Sequence, residues 1–219
     1  MIAVTLARPW LEARLERPMR VLSWAPHGAG FRVVSRVLWR EVRNADLGPG
    51  VDALAWLQAR LPAAEVVAMM TSCDVGTWQE ARAQVEGAAA QAVVTLGLTN
   101  AESVGRRRDW RAVAFGTINI LVATDAPLSR PAQIEALSIA AEARTAALLD
   151  HDIALPTGRA TGTGTDCIAL ACPPGGRQRH AGLHTPAGEA IGAATRSAVA
   201  RATALWLENG GAERLAGGL

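Results

Sequence analysis

The 219-residue sequence contains no lysine and no tyrosine, and each absence removes a class of chemistry. All 22 basic residues are arginine, so neither a Schiff base on a side-chain amine nor a P-loop lysine is available. No phenol can serve as an acid or a base. Proton transfer in an active site would therefore fall to imidazole and carboxylate groups.

Cysteine and phenylalanine are also scarce. The three cysteines, Cys73, Cys167 and Cys172, are odd in number and unevenly spaced, which is typical of reduced thiols in the core of a cytosolic protein. Two phenylalanines stand against seven tryptophans. Flat indole rings suit a large flat ligand as well as a core, so the tryptophans leave both interpretations open.

No apolar run reaches about 18 residues, and no charged segment followed by an apolar one begins at Met1. We therefore expect no membrane span and no secretion signal, and we expect a cytoplasmic location. The net charge is only +2, and the one basic run, Arg106 to Arg108, lies beside Asp109 without interleaved aromatic residues. This pattern predicts a solvated loop and no nucleic-acid partner.

The order of the segments predicts an α/β fold in a single domain over residues 1–219, with a mixed β-sheet flanked by helices. Two packed sheets between helical layers are the alternative. Two or three strands are predicted within 2–24. One strand each is predicted over 31–42, 65–71, 91–97, 117–124 and 167–172. Helices are predicted over 51–61, from an N-cap at Ser129 through Leu148, and over 186–208, while 78–86 fits either structure.

Three short segments combine glycine with threonine and Asn or Asp beside a β-branched run. They are 97–100 (GLTN), 116–119 (GTIN) and 161–166 (TGTGTD). Each segment alone fits a turn at the end of a strand, because Asn and Asp bond their own backbone there. Three together favour a shared pocket lined by hydroxyl, amide and carboxylate groups.

The chain resembles the adenosylcobinamide amidohydrolase (CbiZ) family from about residue 22 to residue 202. The resemblance rests on 95–101 (TLGLTNA), 116–120 (GTINI), 142–148 (EARTAAL), 161–166 (TGTGTD) and 182–192 (GLHTPAGEAIG). Each string alone is weak, whereas five in the family's order are strong. Two departures are Arg144, where the family usually has lysine, and His180, where it usually has tyrosine, and they put any special role of these residues in doubt.

The resemblance implies hydrolysis of the amide that joins a side arm of the corrin ring to aminopropanol, giving adenosylcobyric acid in corrinoid salvage. The corrinoid would be the substrate, with no further cofactor, and assembly as a homodimer is left open. Many carboxamides surround a corrin ring, so hydroxyl and amide side chains are natural partners for it. The residues assigned to substrate binding are Asn100, Thr117, Asn119, Thr163, Gly164, Thr165 and Glu189.

Amide hydrolysis needs a base, donors for the oxyanion and an acid for the leaving amine. We predict that His184, Glu142 and Asp166 supply the proton carriers and converge on one pocket. Each also has a structural interpretation: a hydrogen bond for His184, a solvent-facing helix position for Glu142 and a turn for Asp166. Glu189 lies three residues after Pro186, where favourable interaction with the helix dipole explains it equally well.

Water is the expected nucleophile, and a threonine ranks below it because no N-terminal amine stands beside one. A metal site is not expected. The four-residue spacing of His180 and His184 would suit a helix, yet Gly182 and Pro186 interrupt one.

Two other functions fit parts of the sequence. A nucleotide-binding protein could use the Gly-Thr-Gly-Thr segment at 162–165, although no N-terminal Rossmann half is visible. A non-catalytic corrinoid-binding protein would need the same pocket residues, and an activity assay separates it from an enzyme.

Overall fold

A computed structural model describes residues 1–43, 45–48, 50–108 and 116–217. The long strands are β1 (Ile2–Ala7), β2 (Trp10–Ser23), β3 (Gly30–Glu41), β4 (Val67–Thr71), β5 (Gln79–Val85), β6 (Ala88–Leu96), β8 (Ile118–Thr124) and β12 (Cys167–Cys172). Two-residue strands are β7 (Ala101–Glu102), β9 (Ala154–Leu155), β10 (Gly158–Arg159) and β11 (Gly162–Thr163). The helices are α1 (Ala53–Gln58), α2 (Arg130–Asp150), α3 (Pro186–Glu208) and α4 (Gly211–Gly217), with a 3-10 turn at Val75–Thr77.

The eight long strands form one mixed sheet in the order β4-β3-β2-β12-β8-β6-β5, with β1 paired to β2. The pairs β8–β12 and β3–β4 are parallel, and the other neighbours are antiparallel. The prediction of a mixed sheet flanked by helices is therefore confirmed.

The sheet folds back on itself along β2. The first half of β2 pairs with β1 and β3, the second half pairs with β12, and the register against β3 shifts between Arg14 and Met19. Leu11 and Trp39 on the folded part belong to the same buried cluster as Leu121 and Ala169 on the central strands. Two layers of one continuous sheet thus enclose this core, whereas the alternative had two separate packed sheets between helical layers.

Helices α2 and α3 cover the other face of the central strands. Ser129 caps α2, because its hydroxyl accepts the Ala132 N–H at 3.3 Å, and Thr185 caps α3 by accepting the Gly188 N–H at 3.0 Å. The faces that pack on the sheet are rich in alanine, which lets the helices approach it closely. Helix α2 begins after its predicted N-cap Ser129, and α3 begins at Pro186 as predicted.

Two segments differ from their sequence patterns. Residues 79–85 form a strand, which settles the ambiguous segment 78–86, because Glu86 and Gly87 both have positive φ and build a tight hairpin with β6. Helix α1 covers only Ala53–Gln58, shorter than predicted, and its Leu57 packs on Leu38 on the outside of the folded layer. None of the helices in the described part of the chain is long and apolar enough to cross a membrane.

Candidate active site

Four loops meet at one end of the sheet. They follow β4 and β6 and precede β8 and β12, and they contain residues 71–74, 97–100, 116–117 and 163–166. Because β6 runs antiparallel to β8 while β8 runs parallel to β12, the end of β6 must lie beside the starts of the other two. The topology therefore brings together the three glycine and threonine segments that the sequence analysis selected.

Hydrogen bonds connect these loops directly. The Thr117 hydroxyl donates to the carbonyl of Thr165 at 2.8 Å, and the Thr165 hydroxyl donates to the carbonyl of Gly116 at 2.8 Å. The Gly97 N–H donates to the carbonyl of Thr117 at 3.0 Å. The loops are thus fixed against one another by reciprocal bonds between side chain and backbone.

Asn119 ties the site to the folded layer of the sheet. Its Nδ2 donates to the carbonyl of Met70 on β4 at 2.7 Å, and its Oδ1 accepts the Thr117 hydroxyl at 3.3 Å. The residue is 1% exposed, so its amide is occupied by the protein itself. Asn119 therefore holds β4 against β8 next to the site.

Asp166 is the central polar group of the cluster. Its Oδ1 accepts the Ile118 N–H at 3.0 Å and the Thr163 hydroxyl, and its Oδ2 accepts the Thr163 N–H at 3.0 Å and the guanidinium of Arg144. Burial raises the pKa of the Asp166 carboxyl above its usual value, while Arg144 and the hydrogen bonds from Thr163 and Ile118 oppose that shift. With both oxygens engaged, the carboxylate fixes three segments rather than facing a substrate.

Arg144 is the partner that the sequence analysis left in doubt. It extends from α2 to Asp166, with 17% of the arginine side chain and 10% of the aspartate side chain exposed. A Cβ at position 162 would collide with the Arg144 guanidinium, so Gly162 is needed to let the ion pair form. The only sequence signal for this pair was the presence of Arg144 and Asp166 in two of the five family stretches.

Asn100 differs from the other polar residues because part of its amide is not engaged. Its Oδ1 is buried and has no hydrogen-bond partner among the described residues. Its Nδ2 lies 3.5 Å from the Thr165 hydroxyl, which is a long contact. A buried carbonyl without a partner is costly, which distinguishes Asn100 from the engaged polar groups around it.

Two cavities open beside the cluster. The larger cavity, of about 400 Å³, is lined by Leu96, Thr77, Leu205, Trp206 and Asn209 among others. The smaller cavity, of about 280 Å³, is lined by Pro26, Met70, Gly116, Thr117 and Thr165 among others.

Ser72 lines both cavities and is exposed on the ridge between them. The sequence analysis did not select it, because a serine at the end of a strand carries no signal of its own. Its position follows only from the way β4 folds over β8.

Trp24 adds an aromatic ring next to the same loops. Its indole N–H donates to the carbonyl of Asp166 at 2.8 Å, and 49% of the residue is exposed. A hydrogen bond therefore holds an exposed flat ring in one orientation beside the site.

His184, Glu142 and Glu189 lie elsewhere. The segment before α3 contacts the start of α2, where the Ala181 N–H donates to Glu135 at 2.7 Å. Arg144, which reaches Asp166, lies about 13 Å further along the axis of α2 at 1.5 Å per residue. His184 and Glu189 are therefore at the opposite end of the sheet from Asp166.

Glu142 is exposed on α2 and has no hydrogen-bond partner within the described ranges. The predicted convergence of His184, Glu142 and Asp166 is not found. His184 lies near the start of α2, whereas Glu142 is only two residues before Arg144 but points away from Asp166, because two residues turn a helix by about 200°. Glu189 is exposed in the first turn of α3, where the helix dipole accounts for it.

The three cysteines are structural thiols in this arrangement. Burial raises the pKa of all three, that of Cys167 to about 11. Cys73 donates to the carbonyl of Thr117 at 3.7 Å, and Cys167 lies 3.7 Å from the Ser23 hydroxyl. A thiol with a raised pKa is a poor nucleophile at neutral pH.

Replacing all three cysteines by alanine is expected to lower the melting temperature but to leave turnover within roughly threefold of wild type. Differential scanning calorimetry and initial rates on the same preparation measure the two effects. A folded triple variant with a hundredfold loss of turnover would show that one thiol takes part in the reaction.

Residues 2–211 match the family model described as Adenosylcobinamide amidohydrolase. A curated protein of that name from Halobacterium salinarum is 34% identical over 112 residues, which cover 48% of this chain and 46% of the relative. The matched region thus spans about half the length of that relative.

Two solved structures resemble this chain at low sequence identity. A Burkholderia sp. beta-aminopeptidase has a TM-score of 0.47 and 13% identity, covering 88% of this chain and 78% of its own. The L-aminopeptidase D-Ala-esterase/amidase from Ochrobactrum anthropi, described as a variant of the Ntn hydrolase fold, has a TM-score of 0.43 and 12% identity, covering 93% and 82%.

Proposed function

The chain belongs to the adenosylcobinamide amidohydrolase family, and we propose that it hydrolyses the amide between the corrin side arm and aminopropanol of adenosylcobinamide. Water adds to the amide carbon, the C–N bond breaks, and the nitrogen leaves with a proton as the amine. The products are adenosylcobyric acid and aminopropanol, a reaction that serves corrinoid salvage.

The observation that carries this proposal is the meeting of three family stretches, 95–101, 116–120 and 161–166, in one hydrogen-bonded cluster beside two cavities. A fourth stretch, 142–148, contributes Arg144 to the same cluster. Residues far apart in sequence thus build one surface that offers hydroxyl and amide groups. Such groups are the partners that a carboxamide-rich substrate needs.

We assign substrate contact to Asn100 and to the rim formed by Thr163, Gly164 and Thr165. The Asn100 Nδ2 is a donor that complements the C=O of the scissile amide. This nitrogen can stabilise the oxyanion that forms when water adds to the carbonyl carbon. Trp24 offers a flat ring that can pack against the macrocycle.

Thr117, Asn119 and Asp166 support this rim. Their polar groups are engaged with the protein itself, so their effect on the reaction comes from the position they impose on Thr165 and its neighbours. Water remains the proposed nucleophile, because the Thr117 hydroxyl is buried and already donates to a carbonyl.

A nucleotide-binding function is less well supported by the geometry of the Gly-Thr-Gly-Thr segment. In a phosphate loop the backbone N–H groups are free to hold the anion. Here the Thr163 N–H donates to Asp166, and this carboxylate would repel a phosphate at the same place.

The direct test is incubation of the purified protein with adenosylcobinamide, followed by mass analysis for adenosylcobyric acid and aminopropanol. We expect both products, at the same rate with and without a chelator, because the described residues contain no group of three His, Cys, Asp or Glu that could hold a metal ion. Tight binding without product would identify a non-catalytic corrinoid-binding protein. Loss of activity with chelator, restored by one divalent metal, would contradict the metal-free mechanism.

His184 and Glu142 line neither of the two cavities beside the cluster. His184→Ala and Glu142→Gln are therefore expected to keep turnover within roughly threefold of wild type, since neither side chain reaches the reacting atoms. Steady-state kinetics with each single variant measure this. A loss of roughly 10²-fold in either variant, with the fold intact, would restore that residue as a proton carrier.

A further inference from the structure

We infer that the larger cavity is the subsite for the adenosyl group of the corrinoid, and this inference rests on the proposed function. A nucleoside would enter this cavity while the macrocycle stays outside it. The scissile arm would occupy the smaller cavity on the other side of Ser72.

The volume of the larger cavity limits what can enter. About 400 Å³ lies at the lower end of the range for sites that enclose a small molecule. A corrin ring with all its side arms is much larger than a nucleoside and cannot fit. The cavity therefore takes one appendage of the substrate, and the ring lies across the rim.

The position of the hydrogen-bonded cluster determines which appendage of the corrinoid occupies which cavity. Thr117 and Thr165 line the smaller cavity, and Asn100 contacts Thr165 from the side. The amide that is cleaved must reach these groups, so the aminopropanol arm belongs to the smaller cavity. The adenosyl group is the remaining large appendage, and the larger cavity shares Ser72 with the smaller one and is also lined by Gly97 of the cluster.

The lining of the larger cavity matches a purine nucleoside. Leu96, Leu205 and Trp206 offer apolar and aromatic surface for the face of a base. Asn209 is exposed at the end of α3 and lines the same cavity, and an asparagine amide can form two hydrogen bonds with the edge of adenine. Asp74 also lines it and offers carboxylate oxygens to ribose hydroxyls.

Asp74 keeps its charge in this position. The Arg8 guanidinium lies 2.5 Å from its Oδ1 and holds the pKa of the Asp74 carboxyl below its usual value. A carboxylate that stays ionised is an acceptor for two hydroxyl groups at once. The lining of the larger cavity thus combines apolar surface for the base with a hydrogen-bond acceptor for the ribose.

The test compares corrinoids with and without the adenosyl group. Leu205→Trp fills the cavity, and Asn209→Ala removes the amide opposite the adenine edge. Leu183→Trp is the matched control, because Leu183 is 69% exposed and lies at the opposite end of α3 from Leu205. The substrates are adenosylcobinamide and dicyanocobinamide, and a thermal melt confirms that each variant is folded.

We expect Leu205→Trp and Asn209→Ala to raise KM for adenosylcobinamide by roughly tenfold or more while KM for dicyanocobinamide stays within roughly twofold. Leu183→Trp should change neither value. An equal rise for both corrinoids, or no rise for either, would overturn the subsite.

Saturation-transfer NMR with 5′-deoxyadenosine separates this inference from the proposed function. Wild type should show transfer to the nucleoside and Leu205→Trp should not. Transfer in wild type without hydrolysis of any corrinoid would leave the subsite standing and remove the proposed reaction. Hydrolysis with unchanged transfer in Leu205→Trp would remove the subsite alone, and neither hydrolysis nor transfer in wild type would remove both.

Discussion

Replacing Asp166 by asparagine is expected to lower turnover by roughly 10²-fold or more and to destabilise the protein by about 3 kcal/mol. The asparagine leaves the Arg144 guanidinium buried beside a neutral amide, and an uncompensated buried charge costs far more than the pair contributes when intact. For a chain of this size the loss corresponds to a fall in melting temperature of about 6 to 12 °C. Calorimetry and steady-state kinetics measure the two effects.

A double variant separates the effect of the buried Arg144 charge from the effect of losing the Asp166 carboxylate as a hydrogen-bond acceptor. Arg144→Met combined with Asp166→Asn removes the buried charge while keeping a long side chain under Gly162. We expect it to recover much of the stability lost in the single Asp166 variant but little of the turnover, because the Thr163 and Ile118 N–H groups still lack their carboxylate acceptor. Full recovery of turnover would show that Asp166 acts only as a counterion.

The exposed pair of Asp152 and Arg159 gives the matched control. Its atoms lie 2.7 Å apart, but the two side chains are 69% and 62% exposed. Ion pairs in water contribute little, so Asp152→Asn should change stability by less than about 1 kcal/mol and leave turnover unchanged. An effect as large as that of Asp166→Asn would mean that burial is not the cause.

Replacing Asn100 by alanine is expected to lower kcat by roughly 10²- to 10³-fold, which is the size of effect that follows removal of one oxyanion donor. The protein should remain folded, because the Asn100 Oδ1 has no partner among the described residues and its Nδ2 makes only a long contact. Asn100→Asp keeps the shape and the acceptor but removes the donor, so it should lose kcat to a similar extent. Rapid-mixing kinetics with adenosylcobinamide separate the chemical step from binding.

Gln178 provides the control for Asn100. Its side-chain amide donates to the carbonyl of His180 at 3.1 Å, in the loop before α3 and away from the cluster. Gln178→Ala should leave kcat and KM within roughly twofold of wild type. If Asn100→Ala changed only KM, Asn100 would contribute to binding alone and not to the oxyanion.

The local patterns predicted most of the secondary structure because they arise from interactions between near neighbours. The strand at Cys167–Cys172 and the helix that begins after Ser129 have the predicted positions, since burial on both faces and a capping hydroxyl leave clear signals. Segment 78–86 was ambiguous because alanine and glutamate favour a helix. Its hairpin with β6 overrode that preference by pairing the strand along its whole length.

The sequence alone also selected the glycine and threonine loops as one pocket, and the hydrogen bonds among Gly116, Thr117 and Thr165 agree with that selection. The sequence analysis did not predict the positions of His184 and Glu142 correctly. Both have suitable chemistry, but His184 lies at the opposite end of the sheet and Glu142 is exposed on α2. The sequence analysis also left Arg144 in doubt and did not select Ser72. Residue types show which chemical reactions a site could support, whereas they do not show how close two segments lie when they are far apart in the sequence.

By itself, then, the sequence determined the family stretches, the α/β class and the absence of lysine and tyrosine chemistry. Only the tertiary structure decided that Arg144 meets Asp166 and that Ser72 stands between two cavities. Both contacts depend on where α2 lies over the sheet and on how the sheet folds back at β2. These are long-range features, set by packing over the whole core, and no short stretch of sequence contains them.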